Sequence, residues 1–382
     1  MVGFSPKWRS PYRRRTHHLG EKGTISRALG ANRGSCPQGA NAGELCTYRV
    51  PLGIRASATG HSRGMTRPHR ARIVTRHPVH PLASRGMDAV ALTRLRNGAH
   101  TLTSEWDLLF ADGRLRTRVA AIAPRIGNPL TAVALQSAAA MHGLPVYRAS
   151  SQRVDVIVPG RTSRKNGKDV VRHHRGLGEQ DVVVIDGCRV TSLDRTVYDV
   201  IRAVPIEAAV VCFDAALRQV AWDDDTRTYD LAAAEAFREL VWRRIERNVG
   251  ARGIRTARFV AEFADGRAQL PGESISRLWM WQLGLPAPEL QYRIELPDGR
   301  FALLDFAWPR LGRWAEFDGK SKYTDADILQ GRTVDEVLAE QEIRESQVRA
   351  VTGWRCDRWG FDRMPTIDEF ASYLRSLGLP GT

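Results

Sequence analysis

From residue 131 onward the chain switches between the 3.6-residue spacing of amphipathic helices and the two-residue spacing of strands. A helix is predicted over 131–142, stopped by Gly143 and Pro145. Strands follow at 154–158, 170–174, 182–185 and 189–191. Ser192 then opens a helix as its N-cap, 205–219 forms another, and amphipathic helices occupy about 228–248 and 251–264. Residues 86–109 read as the end of a small winged-helix-like unit.

The C-terminal pattern is more regular. Pro271-Gly272-Glu273-Ser274 starts a helix to about Leu283, with Ile275, Leu278, Trp279 and Trp281 as its apolar positions. Alternating runs at 289–296 and 301–308 flank the turn signal Pro297-Asp298-Gly299, and a third strand covers 313–318. A helix over 334–351, a strand over 354–359 and a helix over 366–377 complete the order α-β-β-β-α-β-α. That order predicts a small mixed sheet flanked by helices.

Residues 1–86 show no such periodicity. They are rich in Arg, Gly, Ser, Pro and His, and carry 16 Lys+Arg against 2 Asp+Glu. Such a segment buries too little apolar surface to offset chain entropy, so disorder is expected. It reads as a basic arm for nucleic acid, as an Arg-rich targeting peptide, or as text upstream of a start at Met65 or Met87. The formal charge of +15 is concentrated there, because the other 296 residues hold 41 basic and 40 acidic side chains. High net charge is therefore no argument that the folded part binds DNA. Five scattered cysteines without metal-like spacing fit a reduced, cytoplasmic setting, and no run of about 18 apolar residues predicts a membrane span.

The candidate chemistry lies in 305–322. Asp305 interrupts an apolar strand, where a charge is costly unless something satisfies it. Glu316 and Asp318 share one face of the next strand by the two-residue period, so pairing of the two strands is expected to gather three carboxylates. A divalent cation, Mg²⁺ or Mn²⁺, is the expected remedy for their repulsion, with Asp305, Glu316 and Asp318 as its ligands. Lys320 continues the alternation toward the attacking water, and only 6 of the 57 basic residues are Lys. An ammonium shifts its pKa readily, whereas a guanidinium stays charged. Glu273 is either a fourth acid of this set or a carboxylate that caps its own helix. His142 reads as a packing or capping group, and His173-His174 as an exposed strand end. In the 334–351 helix, Glu345 and Arg349 form a solvated i,i+4 pair, while an acid or Gln341 is a candidate to face the site.

Through Pro271-Gly-Glu273-Ser274, Leu304-Asp305-Phe306-Ala-Trp-Pro309, Glu316-Phe-Asp318-Gly319, Lys322-Tyr323, Arg344-Glu345 and Thr352-Gly353-Trp354, the last 110 or so residues resemble the DUF559-type domain of the PD-(D/E)xK nuclease superfamily, related to very-short-patch-repair endonucleases. Asp305 maps to the superfamily's first Asp. Asp318-Gly-Lys320 fits the (D/E)xK element literally, while Glu316-Phe-Asp318 fits the DUF559 form, so Lys320 and Lys322 both stand as the catalytic lysine. Through Ser137-Ala-Ala-Ala-Met-His142-Gly-Leu-Pro145, Val182-Val-Val-Ile-Asp186-Gly187 and Val190-Thr191-Ser192-Leu-Asp-Arg195-Thr196-Val-Tyr-Asp199, the middle region is similar to AbiEi antitoxin-like proteins.

The resemblances imply an α/β (α+β) protein in three parts: a basic tail over 1–86, an AbiEi-antitoxin-like α+β region over 87–265, and a restriction-endonuclease-like domain over 266–382. The implied function is a metal-dependent DNA endonuclease in phage defence or DNA repair. The alternative is a non-catalytic antitoxin-like regulator that binds DNA or a partner toxin, with a helix-turn-helix near 65–120. A degenerate gene disturbed at its start is the third reading. Neither oligomeric state nor the choice between DNA and RNA is legible.

Overall fold

The computed structural model describes residues 74–75, 91–126, 129–148, 153–158, 160, 166–319 and 333–379. The expected disorder of 1–86, apart from 74–75, and both Lys320 and Lys322 lie outside the described residues. What is described belongs to one compact unit of mixed α/β architecture.

Strands β1 (Val74–Thr75), β2 (Leu92–Arg96) and β3 (Ala99–Leu102) form a small antiparallel sheet in the order β1-β3-β2. Short helix α1 (Thr103–Asp107) and helix α2 (Ala111–Ile122) follow. The expected helix over 131–142 is shorter than its pattern suggested. Ala132–Val133 forms strand β4, and helix α3 begins only at Leu135–Met141, because β4 is held between two neighbours of one sheet. That sheet adds β5 (Val154–Ile157), β6 (Val170–His173), β7 (Val182–Ile185) and β8 (Cys188–Thr191), in the order β6-β5-β4-β8-β7.

Four helices then build a layer: α4 (Leu193–Ile201), α5 (Ile206–Ala221), α6 (Leu231–Glu246) and α7 (Ile254–Phe263). A two-stranded ribbon, β9 (Trp222–Asp223) and β10 (Thr228–Tyr229), links α5 to α6. Asp230 caps α6 by accepting from the backbone N–H of Ala232 and Ala233. Ser192, expected to cap α4, instead donates its hydroxyl to Asp194.

Helix α8 (Pro271–Gln282) precedes β11 (Glu289–Glu295), β12 (Phe301–Trp308) and β13 (Arg313–Phe317); α9 (Val334–Thr352) leads to β14 (Arg355–Trp359), and α10 (Ile367–Ser376) follows. Their sheet runs β11-β12-β13-β14, with two antiparallel pairings and a parallel one between β13 and β14. The parallel step requires a crossover, which α9 occupies. Gly299 takes φ +81 in the turn between β11 and β12, a conformation that costs glycine little.

The largest core runs without a break across residue 265, where the sequence suggested a boundary. Phe213 and Leu217 of α5 share it with Leu278 and Met280 of α8 and with Phe306, Phe317 and Trp359 of the sheet. The opposite face of the sheet has a smaller core, in which Leu304, Ala307 and Trp314 meet Val348 of α9. Leu304 and Phe306, two positions apart, enter different cores, so the two-residue alternation slips at Asp305. The neighbouring position on β11, Gln291, has φ +48.

Helix α8 lies close against β13. A Cβ added to Gly272 would fall 1.9 Å from the Cζ of Phe317, whose ring is buried and has no room to retreat. Gly272→Ala is therefore expected to destabilise the fold by about 1–3 kcal/mol through overpacking. Gly250→Ala, at a position with open space, serves as its control. Urea denaturation midpoints of the two variants check this, and equal midpoints would refute the close packing.

Candidate active site

Glu273 enters the site as a helix-capping residue. At the third position of α8 it is buried, its Oε2 accepts the N–H of Gln269 at 2.8 Å, and its Oε1 accepts that of Leu270 at 3.2 Å. The capping alternative of the sequence is thus realised, but it does not exhaust the group. The two bonds use two of about four acceptor positions on a carboxylate. Burial first, and then the negative charge of Asp305, push the Glu273 carboxyl well above the usual carboxylate range.

Asp305 sits where the strand alternation slips. Its Oδ2 accepts the N–H of Phe317 at 3.0 Å, and its Oδ1 accepts from the Gln291 side chain at 3.2 Å. The carboxylate thereby stands in for a strand carbonyl between β12 and β13, and it lies within electrostatic reach of Glu273 across the sheet–helix junction.

Glu316 has a different environment. It is buried on β13, with Oε1 2.5 Å from Nη1 of Arg344 on α9 and Oε2 2.8 Å from Nη1 of Arg358 on β14. Arg358 is the register partner of Glu316 in the parallel pairing. Arg344 also donates to the Leu303 carbonyl. Burial disfavours the Arg358 cation, yet Glu316, Asp318 and Glu345 outweigh it and raise its pKa. Asp318 approaches the same guanidinium at 3.6 Å, and Glu345 at 3.7 Å.

Asp305, Glu316 and Asp318, expected around one ion, have different partners in the structure. Among the described residues no group of three His, Cys, Asp or Glu side chains is arranged to hold a metal. The alternation slip brings Asp305 together with Glu273, while Glu316 and Asp318 meet on Arg358. The acids of Glu273 and Asp305 suit Mg²⁺ or Mn²⁺ in type, being hard oxygen donors whose mutual repulsion a cation relieves. Glu316 does not fit as a direct ligand here, since a guanidinium engages each of its oxygens.

Other candidates fall into place around this site. The 334–351 helix does reach it, through Arg344 and Glu345, and Glu345 and Arg349 form the expected pair at 2.6 Å. His142 Nε2 bonds the Thr191 carbonyl at 2.7 Å, in keeping with a packing role, and burial lowers its pKa. His173 is paired with Asp155 at 2.8 Å rather than simply exposed. Arg358 and Gln291 went unrecognised in the sequence, which carries no signal for the register of a strand entering after a crossover.

The raised carboxyl of Glu273 has a thermodynamic consequence. Below its ordinary value of 4.5, folded and unfolded chains both hold the proton; as pH rises from there, the unfolded chain releases it first, and stability falls until the folded pKa is passed. In metal-free buffer, the stability of the wild type is expected to decline relative to Glu273→Gln as pH is raised from about 4 to about 8. Urea titrations across that range test it, and parallel curves for the two proteins would contradict a raised Glu273.

No family model matches the chain. It is 30% identical over 243 residues to Uncharacterized protein MT2308 of Mycobacterium tuberculosis strain CDC 1551 and to Uncharacterized protein Rv2248 of strain H37Rv, a match covering 63% of this chain and 82% of each relative. At that identity and coverage, the chain belongs to the same family as these mycobacterial proteins.

Proposed function

We propose that the sheet β11–β14, with α8 and α9, is the core of a divalent-metal-dependent DNA endonuclease of the PD-(D/E)xK type. The observation that carries this reading is the meeting of buried Glu273 with half-buried Asp305 at the junction of α8 with a four-stranded sheet of order β11-β12-β13-β14. The described order α-β-β-β-α-β-α supports the resemblance, which implies that order.

In this reading Glu273 and Asp305 hold the cation. Bound there, it would supply positive charge for the phosphate oxygens and lower the pKa of a water that attacks phosphorus. Asp305 is oriented by Gln291 and the Phe317 N–H, and Glu273 by two backbone N–H groups, so neither needs to reorganise. Arg344 and Arg358 hold Glu316 in place on the α9 side of the sheet. The choice between Lys320 and Lys322 for the water falls outside the described residues.

A second reading, a DNA-binding regulator of the antitoxin class, is favoured by the β2–β3 hairpin, whose exposed Arg94 and Asn97 have the placement of a wing. Among the described residues no helix is long and apolar enough to cross a membrane.

The full chain is expected to nick supercoiled plasmid in Mg²⁺ or Mn²⁺, and Asp305→Asn to slow this by about 100-fold or more with an unchanged melting temperature. Asp305 is the cleaner position, because Glu316→Ala strips the counter-charge from two guanidiniums and destabilises the fold as well. Plasmid and single-stranded DNA left intact by the wild type in both metals, or cleavage indifferent to Asp305→Asn, would sink the endonuclease; hairpin-dependent DNA binding without cleavage would favour the regulator.

A further inference from the structure

The helical layer upstream of the sheet delivers an arginine to the acid pair. On α5, Asp214 accepts Nη2 of Arg277 on α8 at 2.9 and 3.0 Å, and both side chains are almost fully buried. Arg218 lies one turn after Asp214, and Glu273 one turn before Arg277. The segment just before α8 lies against the C-terminal end of α5: Gly266 packs so closely on Arg218 that an added Cβ would fall 2.6 Å from its backbone N. The two helices are thus antiparallel at this contact, and steps of four residues in opposite directions bring Arg218 and Glu273 to the same level.

The guanidinium of Arg218 is held but not saturated. It stacks 4.0 Å from the ring centre of Trp222, and Nη1 makes a long bond of 3.4 Å to the Arg267 carbonyl. Among the described residues this is its one hydrogen bond, although the group has five N–H donors. It is half-buried, and the carboxylates that act on it are, in order, Glu273, Asp224 and Asp305. Arg344 and Arg358, by contrast, are committed to Glu316. A guanidinium pinned by stacking, with unused donors beside two acids, matches the planar fork that binds a phosphate.

We propose that Arg218 is a phosphate-anchoring residue of this site, supplied by the helical layer rather than by the sheet, an inference that rests on the endonuclease reading. It balances the charge of Glu273 and Asp305 in the free protein and grips a backbone phosphate of bound DNA. The upstream region is then part of the active site, and residues 266–382 alone lack one of its groups.

The test uses the full chain and a short fluorescein-labelled DNA duplex, with anisotropy measured in EDTA over a salt series. Arg218→Met is expected to weaken binding about 5- to 10-fold and to reduce the slope of log K against log salt by about 0.9, the value of one lost phosphate contact. Arg218→Lys should keep the slope, and Arg300→Met, at an exposed turn, should change neither. In cleavage assays Arg218→Met should raise KM and spare kcat. A wild type that binds the duplex and an Arg218→Met protein with the same affinity and slope would overturn the anchor alone. Binding that responds to Arg218 without cleavage in any metal would leave the anchor standing and remove the hydrolysis. A wild type with no affinity for the duplex would overturn both.

Discussion

The buried ion pair between Asp214 and Arg277 sets the register on which the rest of this site depends. Apolar contacts between α5 and α8 are non-directional, and small slides of one helix along the other cost little while the same area stays buried. Asp214 removes that freedom. Burial raises its pKa, against the Arg277 guanidinium and the Asp265 backbone N–H that favour its charged form, so any displacement that breaks these bonds strands a charge in the core. With that register fixed, the first turn of α8 arrives at β13 with Gly272 under Phe317, and Glu273 arrives beside Asp305. One polar contact in the helical layer thus positions an acid that works on the sheet.

The sheet adds its own constraint through an irregularity. Counted back from the pairing of Phe306 with Ala315, a strictly alternating β12 would send the Asp305 side chain to the face that carries Glu316 and α9. The slip between Leu304 and Phe306, matched by the positive φ of Gln291, places its carboxylate where the N–H of Phe317 is available. Residues held in unusual backbone conformations persist only where their surroundings over-determine them. Here those surroundings are two cores on opposite faces of one sheet, each claiming one neighbour of Asp305.

Much of this was legible in the sequence, and the remainder has a common physical cause. Strands β5 to β8 and β11 to β14 follow from apolar alternation, the β11–β12 turn from Pro297-Asp298-Gly299, and the start of α8 from Pro271 and Glu273, because each is a local preference written in adjacent residues, whereas the short β9–β10 ribbon, whose second strand falls where a helix was expected to begin, does not. Asp305 was readable as a candidate because a charge in an apolar strand is costly, and Glu273 because an acid in the first turn of a helix either caps it or joins a nearby acidic set. The pairing of Glu316 with Arg344 and Arg358 was not readable, nor was Arg218, since both depend on register between elements far apart in the chain. The two-residue rule that grouped Glu316 with Asp318 agrees with their meeting on Arg358, while β12 departs from that rule at Asp305 itself.

The outcome is two acidic environments of opposite character a few residues apart. Glu316 is held in place by two guanidiniums, so its carboxylate has little to offer a cation. Glu273 is buried with a like charge beside it and is held toward the protonated form. Environments that push titratable groups apart are how one fold assigns different roles to chemically similar side chains. On that logic the guanidinium-bound acid is the fixed strut that joins β13, β14 and α9. The acids at the α8 junction answer instead to Arg218 of the helical layer, and a ligand that brings further positive charge there would be stabilised by the repulsion it removes.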